Sequence, residues 1–373
     1  MGLVFWLSIA AVFFAYVGYP AALAAAGFVS GDDNFPEMGG VANWPSVSVI
    51  LTVFNEEKII AEKIGNFLAC KYPGTSELVI VSDGSTDGTG EIIRRFEGER
   101  IRLIANRERR GKDPVLADAV RNSVGEIMVF TDVGAMFAEN ALAELIRPFA
   151  NPDVGLVTGV ARYTGARSAG LYRRYEDWIK SLEANLGVLS GALGPMYAIR
   201  RSAWRPKELA LFNDFTDPIL VALEGKNATL AARAVCRQNR SDDEHWARQV
   251  RNVACAAAVL FHFLPRLIAA RRWKLIFVLI SHKLLRWLTV PFMVLLVAAA
   301  WIERDSGGLY RATLGLTAAY LTAAAAGFFA ARMGRSSTLR IAYDFLAMNV
   351  AALVGLVRYA RGEVPTVWQP RGL

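Results

Sequence analysis

Residues 78–88 read LVIVSDGSTDG. Leu78–Ser82 has the composition of a buried strand, and it runs straight into an aspartate, a glycine and a cluster of turn formers. Upstream, Val47–Val53 (VSVILTV) has the same apolar character and ends in Phe54-Asn55-Glu56-Glu57. Downstream lie Ile101–Ile104 and Ile127–Thr131 (IMVFT), the latter running into Asp132-Val133-Gly134. Short continuous apolar runs read as parallel strands buried on both faces. Helical patterns separate them at about 58–70, 87–96, 114–123 and 140–147. This alternation predicts an α/β domain, a doubly wound and mostly parallel sheet with helices on both faces. Ligands of such sheets bind beyond the carboxyl ends of the strands.

Outside this region the composition changes. The chain has 373 residues, 54% of them hydrophobic and only 20% charged, with a net charge of +8. The apolar share exceeds the ~45–50% of an ordinary soluble domain, which excludes a disordered chain and points to lipid. Leu3–Val29 holds 27 residues without a charge, Ala312–Ala331 holds 20, Trp287–Ile302 holds 16 and Phe345–Val357 holds 13. A bilayer core takes about 20 apolar residues in a helix. The first run is read as an uncleaved anchor, because it lacks the basic n-region of a signal peptide. The last is open between a short span, a re-entrant piece and an interfacial helix. Lys and Arg flanking the spans (Arg266, Arg271, Arg272, Lys274, Arg332, Arg335, Arg340) place the soluble part in the cytoplasm and the N-terminus outside, in the plasma (inner) membrane. His282, Lys283, Arg286 and Trp287 sit where an interfacial helix turns into a span. They read as a snorkelling anchor or as contacts to a lipid-linked acceptor's phosphate. The expected divisions are an anchor at 1–30, a linker at 31–46, an α/β domain at 47–255, interfacial helices at 256–286, transmembrane segments at 287–357 and a tail at 358–373.

Three cysteines without a CxxC pair and three scattered histidines exclude a disulfide framework and a thiolate or histidine-rich metal site. No basic stripe with interleaved aromatics suggests nucleic acid. Instead, Glu56, Asp83 and Asp132 line up at the ends of three strands. A row of carboxylates there suits a hard divalent cation carrying a bound diphosphate, since Mg²⁺ usually takes one or two protein carboxylates plus phosphate oxygens. Arg109, Arg110 and Lys112 (RRGK) are placed to complement phosphate charge. Asp87 reads as a helix N-cap.

These segments together resemble glycosyltransferase family 2, in its membrane-embedded branch of cellulose- and hyaluronan-synthase type. VSVILTVFNEE resembles the opening strand with its Asn-Glu turn, VSDGSTDGT the strand-end Asp motif, RRGKDPVLADAV the Gly-Lys loop and FTDVGAMF the metal-binding DxD motif. GALGPMYAIRRSAW is similar to the floor of the acceptor site, NDFTDPILVALEG to the segment supplying the general base, and RQVRN to a weakened QxxRW motif. The resemblance implies a GT-A fold, a hexosyltransferase activity with inversion, a nucleotide diphosphate sugar as donor (a UDP-sugar) and Mg²⁺ or Mn²⁺ as cofactor. It implies that Phe54 and Glu56 hold the base, Asp83 the nucleoside, Lys112 the diphosphate and Asp132 the metal, with Arg248, Gln249 and Arg251 closing over the donor. Asp214 and Asp217 compete for the general base, Asp217 reading otherwise as an N-cap before Pro218.

Two positions depart from the family pattern. Gly134 stands where the DxD motif has its second acid, and Arg248 and Asn252 stand for the Gln and Trp of QxxRW. The expected partners are therefore a growing glycan or lipid-linked acceptor, the membrane and possible partner subunits, with no nucleic acid. The alternatives are a single-transfer enzyme acting on a lipid carrier and a catalytically silent scaffold subunit of a synthase complex.

Overall fold

In the computed structural model, which describes residues 1–30, 43–164, 170–209, 211–239, 245–333 and 338–364, the chain begins with α1 (Gly2–Phe13) and α2 (Tyr19–Ser30), joined by a π-helical turn over Phe14–Gly18. The expected linker as far as residue 42, the tail beyond residue 364 and Arg335 lie outside the described residues. The sheet follows: β1 (Val47–Val53), α3 (Ile60–Ala69), β2 (Ser76–Asp83), α4 (Thr89–Arg94), β3 (Ile101–Asn106), α5 (Lys112–Arg121) and β4 (Ile127–Thr131). Every strand and helix read from residues 47–147 is present, within a few residues at each end.

Apolar residues on both faces of β1 explain its central place. Val47, Val49, Leu51 and Val53 enter one layer with Ile60, Ile64 and Phe67 of α3. Ile50 points the other way, packing with Val79 and Val81 of β2 and with Val115, Ala119 and Val120 of α5. Each such side chain contributes roughly 1.5–3 kcal/mol on burial, so a strand feeding two cores has no solvent face to offer. Strands β1, β2, β3 and β4 pair in parallel.

Beyond β4 the sheet is mixed. It continues through β5 (Met136–Phe137), α6 (Ala141–Ile146), β6 (Val154–Thr164), α7 (Gly170–Asn185), β7 (Met196–Arg200), α8 (Asn213–Leu223) and β8 (Asn227–Asn239). The eight strands run in the order β3-β2-β1-β4-β7-β6-β8-β5. Strand β7 is antiparallel to both β4 and β6, while β6 and β8 are parallel.

Then come α9 (His245–Ala269), α10 (Trp273–Val278), a π-helical stretch over Leu279–Leu284, α11 (Leu285–Trp287), α12 (Thr289–Ile302), α13 (Gly308–Arg332) and α14 (Arg340–Ala360). Among the described residues, four stretches are long and apolar enough to cross a bilayer: Gly2–Gly27, Trp246–Ala269, Gly308–Arg332 and Arg340–Ala360. A fifth, Trp273–Trp287 with Thr289–Ile302, is bent by 58°. The expected division at residue 255 falls inside the continuous helix α9, and the short run at 345–357 belongs to a helix of 21 residues. Helix α9 joins the two halves of the molecule. Its Val253, Ala256 and Leu260 pack in one core with Phe215 and Ile219 of α8 and Ala352 of α14.

Candidate functional site

The strand-end loops of β1 and β2 are stitched together by backbone and side-chain hydrogen bonds. Asn55 takes a left-handed backbone (φ 54°), which Asn tolerates better than most residues. Its N–H donates to Ser85 Oγ (3.1 Å), and its Oδ1 accepts the Thr86 N–H (2.9 Å). The Glu56 N–H donates to Thr89 Oγ1 (2.8 Å), and Glu57 Oε2 accepts the Gly88 N–H (2.9 Å). Asp87 accepts the Thr89 N–H (3.0 Å), satisfying a free donor in the first turn of α4.

Asp83 is buried at the end of β2. Its two oxygens accept the backbone N–H groups of Arg110 (2.7 Å) and Gly111 (2.9 Å), so it fixes the RRGK loop in front of the sheet edge. Gly84 is required for that approach. It has φ 70°, and a Cβ there would stand 2.7 Å from the Arg109 nitrogen and the Glu108 carbonyl carbon. Gly84→Ala is expected to lower the unfolding free energy by about 2 kcal/mol, from the left-handed backbone and the forced displacement of the loop. Chemical denaturation of the two proteins measures it. Across the same edge, the Arg109 guanidinium lies 4.2 Å from the centroid of the half-buried Phe54 ring, a cation–π contact.

Lys112 opens α5 and meets Asp132 at the end of β4, Nζ to Oδ1 3.1 Å. Both side chains are at least one-third exposed, so the pair is weak, within about 1 kcal/mol, and is readily exchanged for a stronger cation. Glu56 feels the same crowding. Burial, then the charges of Asp87 and Asp132, push its carboxyl above the ordinary range. Gly134 faces Gln238, whose Nε2 lies 4.0 Å from a Cβ built there. Among the described residues no three His, Cys, Asp or Glu side chains gather as a self-sufficient metal cage. A lone strand-end carboxylate with others near it fits a hard cation that takes its remaining ligands from phosphate and water.

Asp214 is the second residue of α8, following Phe212 with its left-handed backbone (φ 51°). The segment Gly191–Pro195 wraps it. The Ala192 N–H donates to the Asp214 carbonyl (2.6 Å), and a Cβ on Gly194 would stand 2.9 Å from Asp214 Oδ2. Burial raises its pKa, Lys112 opposes that, and Asp132 adds to it. Asp214 therefore feels the charges of the Lys112–Asp132 pair at the carboxyl edge of the sheet.

Asp217 is different. It lies inside α8 rather than before it, and so is not the N-cap that the sequence suggested. Its carboxylate is buried, paired to Lys207 Nζ (3.0 Å) and bonded by the Tyr197 hydroxyl (2.8 Å). Arg248, Gln249 and Arg251 are half-buried on α9. Gln249 lines a separate cavity between the α/β domain and the apolar helices. His282 and Arg286 do not snorkel. Both are buried, held by Glu176 and Glu183 of α7.

Lys63 has no counterpart in the sequence reading. It is 1% exposed on α3. Its ammonium donates to Thr131 Oγ1 (3.1 Å) and to the Ala135 carbonyl, and it lies 4.2 Å from the centre of the Phe137 ring. Thr131 in turn donates to the Pro195 carbonyl (2.9 Å). One buried cation thus ties the turn carrying Asp132 to the segment that wraps Asp214. The available signal was Ile60, Lys63, Ile64 and Phe67, an i, i+3, i+4, i+7 stripe in which the lysine falls on the apolar face.

Residues 48–206 match the family model described as glycosyl transferase family 2. A poly-β-1,6-N-acetyl-D-glucosamine synthase of Staphylococcus epidermidis is 29% identical over 118 residues, which are 31% of this chain and 28% of that protein. An N-acetylglucosaminyltransferase of Bradyrhizobium elkanii is 29% identical over 130 residues, 34% of this chain and 71% of that one. The match thus spans little more than a quarter of the staphylococcal synthase. Among solved structures, a mannosyltransferase from Pyrobaculum calidifontis, in complex with GDP-mannose and Mn²⁺, superposes with a TM-score of 0.72 at 22% identity. The alignment covers 96% of this chain and 99% of that one, so the shared fold extends from the sheet into the apolar helices. The α/β domain has the GT-A fold.

Proposed function

We propose that this chain, whose residues 48–206 are a family 2 glycosyltransferase domain, moves a sugar from a nucleotide diphosphate donor to a glycan or lipid-linked acceptor at the membrane face. The observation that carries this reading is the meeting of charges at the strand-end edge where ligands of such sheets bind: Lys112 pairs with Asp132 at 3.1 Å, and the charges of both act on Asp214. Phe54 and Glu56 hold the nucleotide base, with Asp83 keeping the RRGK loop against it. Lys112 lies by the diphosphate. Asp132 holds Mg²⁺ or Mn²⁺. That cation supplies Lewis-acid stabilisation of the charge on the departing nucleotide.

Asp214 is the base. It accepts the proton of the acceptor hydroxyl as that oxygen attacks the anomeric carbon, from the face opposite the leaving diphosphate. Burial suits it to this work, because a carboxylate lifted above its ordinary range holds a proton more strongly at the working pH. Asp217, already claimed by Lys207 and Tyr197, is a structural residue of α8. The mannosyltransferase of like fold is bound to a GDP-sugar and the family resemblance favours UDP, so both nucleotides belong in the test. The apolar helices are read as the membrane anchor, with the sheet on the cytoplasmic side.

The test uses purified protein in lipid nanodiscs, a panel of UDP- and GDP-sugars, membrane extract as the acceptor source, and Mg²⁺ or Mn²⁺. Metal-dependent nucleotide release from one donor is expected, with product sizing to count the transfers. Nucleotide binding without turnover of any donor would overturn the reading in favour of a silent subunit.

A further inference from the structure

Between the α/β domain and the apolar helices lies a cavity of about 240 Å³ that the transfer chemistry leaves unused. Its polar wall is Tyr16 from the first π-helical turn, Glu176 from α7, Gln249 from α9, Lys283 and Arg286 from the bent segment, and Asn349 from α14.

Most of this wall is satisfied internally. Asn349 Oδ1 accepts from the Tyr16 hydroxyl (2.9 Å), and its Nδ2 donates to the Phe345 carbonyl (2.8 Å). Glu176 pairs with Arg286 and meets His282 Nε2 at 3.1 Å. Glu183, behind it, meets His282 Nδ1 and accepts from the Tyr19 hydroxyl and the Ser190 N–H, each at 2.8 Å. Burial works to raise both carboxyls, yet His282 overrides it, holding Glu183 at about 2 and Glu176 well below its usual range. Both ring nitrogens of His282 therefore face carboxylate oxygens, Nδ1 that of Glu183 and Nε2 that of Glu176.

Lys283 is the other cation of the wall. Its half-buried ammonium acts by its charge on both Glu176 and Glu183, lowering their pKa, but makes no direct hydrogen bond or contact ion pair among the described residues, and neither does the half-buried Gln249 carboxamide. Half-burying an ammonium without a counter-ion in contact is costly, and an anion in the cavity returns part of that cost. Trp287, Phe345 and Met348, from helices apolar enough to span a bilayer, close the same cavity. An anion attached to a lipid chain can enter from that side. The volume is below the ~300–1,000 Å³ of pockets for drug-sized ligands, so it suits a headgroup phosphate rather than a nucleotide sugar. Helix α7 also connects the cavity to the surroundings of Asp214. Glu176 faces the cavity, and Lys180, one turn or about 6 Å further on, lowers the pKa of Asp214 by its charge.

We propose that this cavity binds the phosphate of a phosphate-bearing lipid, with Lys283 as its counter-ion and Gln249 as a hydrogen-bond donor. Its use as the acceptor's seat rests on the transfer reading above; the binding does not. The test titrates dioctanoyl phosphatidic acid into protein held in phosphatidylcholine nanodiscs and reads lipid adducts by native mass spectrometry, with no nucleotide sugar present. One saturable adduct is expected on the wild type. Lys283→Ala should weaken it at least tenfold, Lys283→Arg should restore it, and Gln249→Ala should weaken it about threefold. Equal binding by all four proteins, or none by the wild type, overturns the proposal. Displacement of the adduct by inorganic phosphate at equal concentration would assign the cavity to a free phosphate instead. Because nucleotide release is measured separately, a failure here leaves the transfer reading standing, and the reverse also holds.

Discussion

Asp214→Asn should reduce sugar transfer by about 10²–10⁴-fold, the range for loss of a positioned general base, while nucleotide binding and the unfolding midpoint stay close to those of the wild type. The substitution keeps the shape that fits against Gly194 and keeps the backbone bond to Ala192, so the fold has no reason to respond. Only the ability to accept a proton is removed. The pH profile provides an independent check. Burial first, then the charge of Asp132, hold the carboxyl above its ordinary range, with Lys112 pulling it down. Transfer should therefore fall on the acid side at a pH above the usual carboxylate range, as Asp214 takes up a proton and ceases to be a base. Lys112→Ala removes the larger of the two lysine charges that lower this pKa, the other being Lys180, so the acid limb should move to higher pH. An acid limb in the ordinary carboxylate range, or one that moves down in Lys112→Ala, would assign the base elsewhere. Asp217→Asn separates the two candidates. It strands Lys207 in a buried place without its counter-charge, so its principal effect should be on stability, with kcat changing far less than in Asp214→Asn.

The first half of the sheet is legible in the sequence because β1, β2 and β4 are apolar on both faces, a pattern that few other structures share. Strand ends are then legible too, which is why Glu56, Asp83 and Asp132 fall into one row. The later strands are harder. Strand β6 (VGLVTGVARYT) mixes glycines and polar residues, because its ladder has register shifts and it pairs antiparallel on one side and parallel on the other. Nothing local announces that reversal. The ion pairs were out of reach for a different reason. His282 is 99 residues from Glu183 and 106 from Glu176, so the charges before α12 look like a snorkelling anchor until α7 is brought beside them. The same holds for Asp217, whose partners Tyr197 and Lys207 come from segments outside α8. Short-range pattern gives elements and strand ends. Whether a charge near them is exposed, paired or left without a partner is settled only by tertiary packing.

Lys63 turns that distinction into a measurement. Burial lowers its pKa from 10.5 to about 8, against smaller opposing contributions from Cys236, Cys70 and Asp132. Below pH 8 the lysine is protonated in both the folded and the unfolded chain, so it adds no pH dependence there. Between pH 8 and 10.5 the folded chain has released the proton and the unfolded chain still binds it. The unfolded state then holds more protons, and folding stability must rise with pH. The full span is worth about 3 kcal/mol. Cysteines and tyrosines also titrate in this window, and burial raises Cys70 and Tyr72, which works in the opposite direction. The informative quantity is therefore the difference between the wild type and Lys63→Met. It should grow in favour of the wild type by about 3 kcal/mol from pH 7.5 to 10.5, read from denaturant unfolding at each pH. Near pH 7.5 the two should be close in stability, since methionine loses the bonds to Thr131 and Ala135 but also the cost of a buried charge. Activity should not be spared at that pH. Without Lys63 the turn carrying Asp132 loses its tie to Thr131 and through it to Pro195, so the metal concentration needed for half-maximal transfer should rise by roughly tenfold, the equivalent of one such bond. Parallel stability curves together with an unchanged metal requirement would reduce Lys63 to a packing residue.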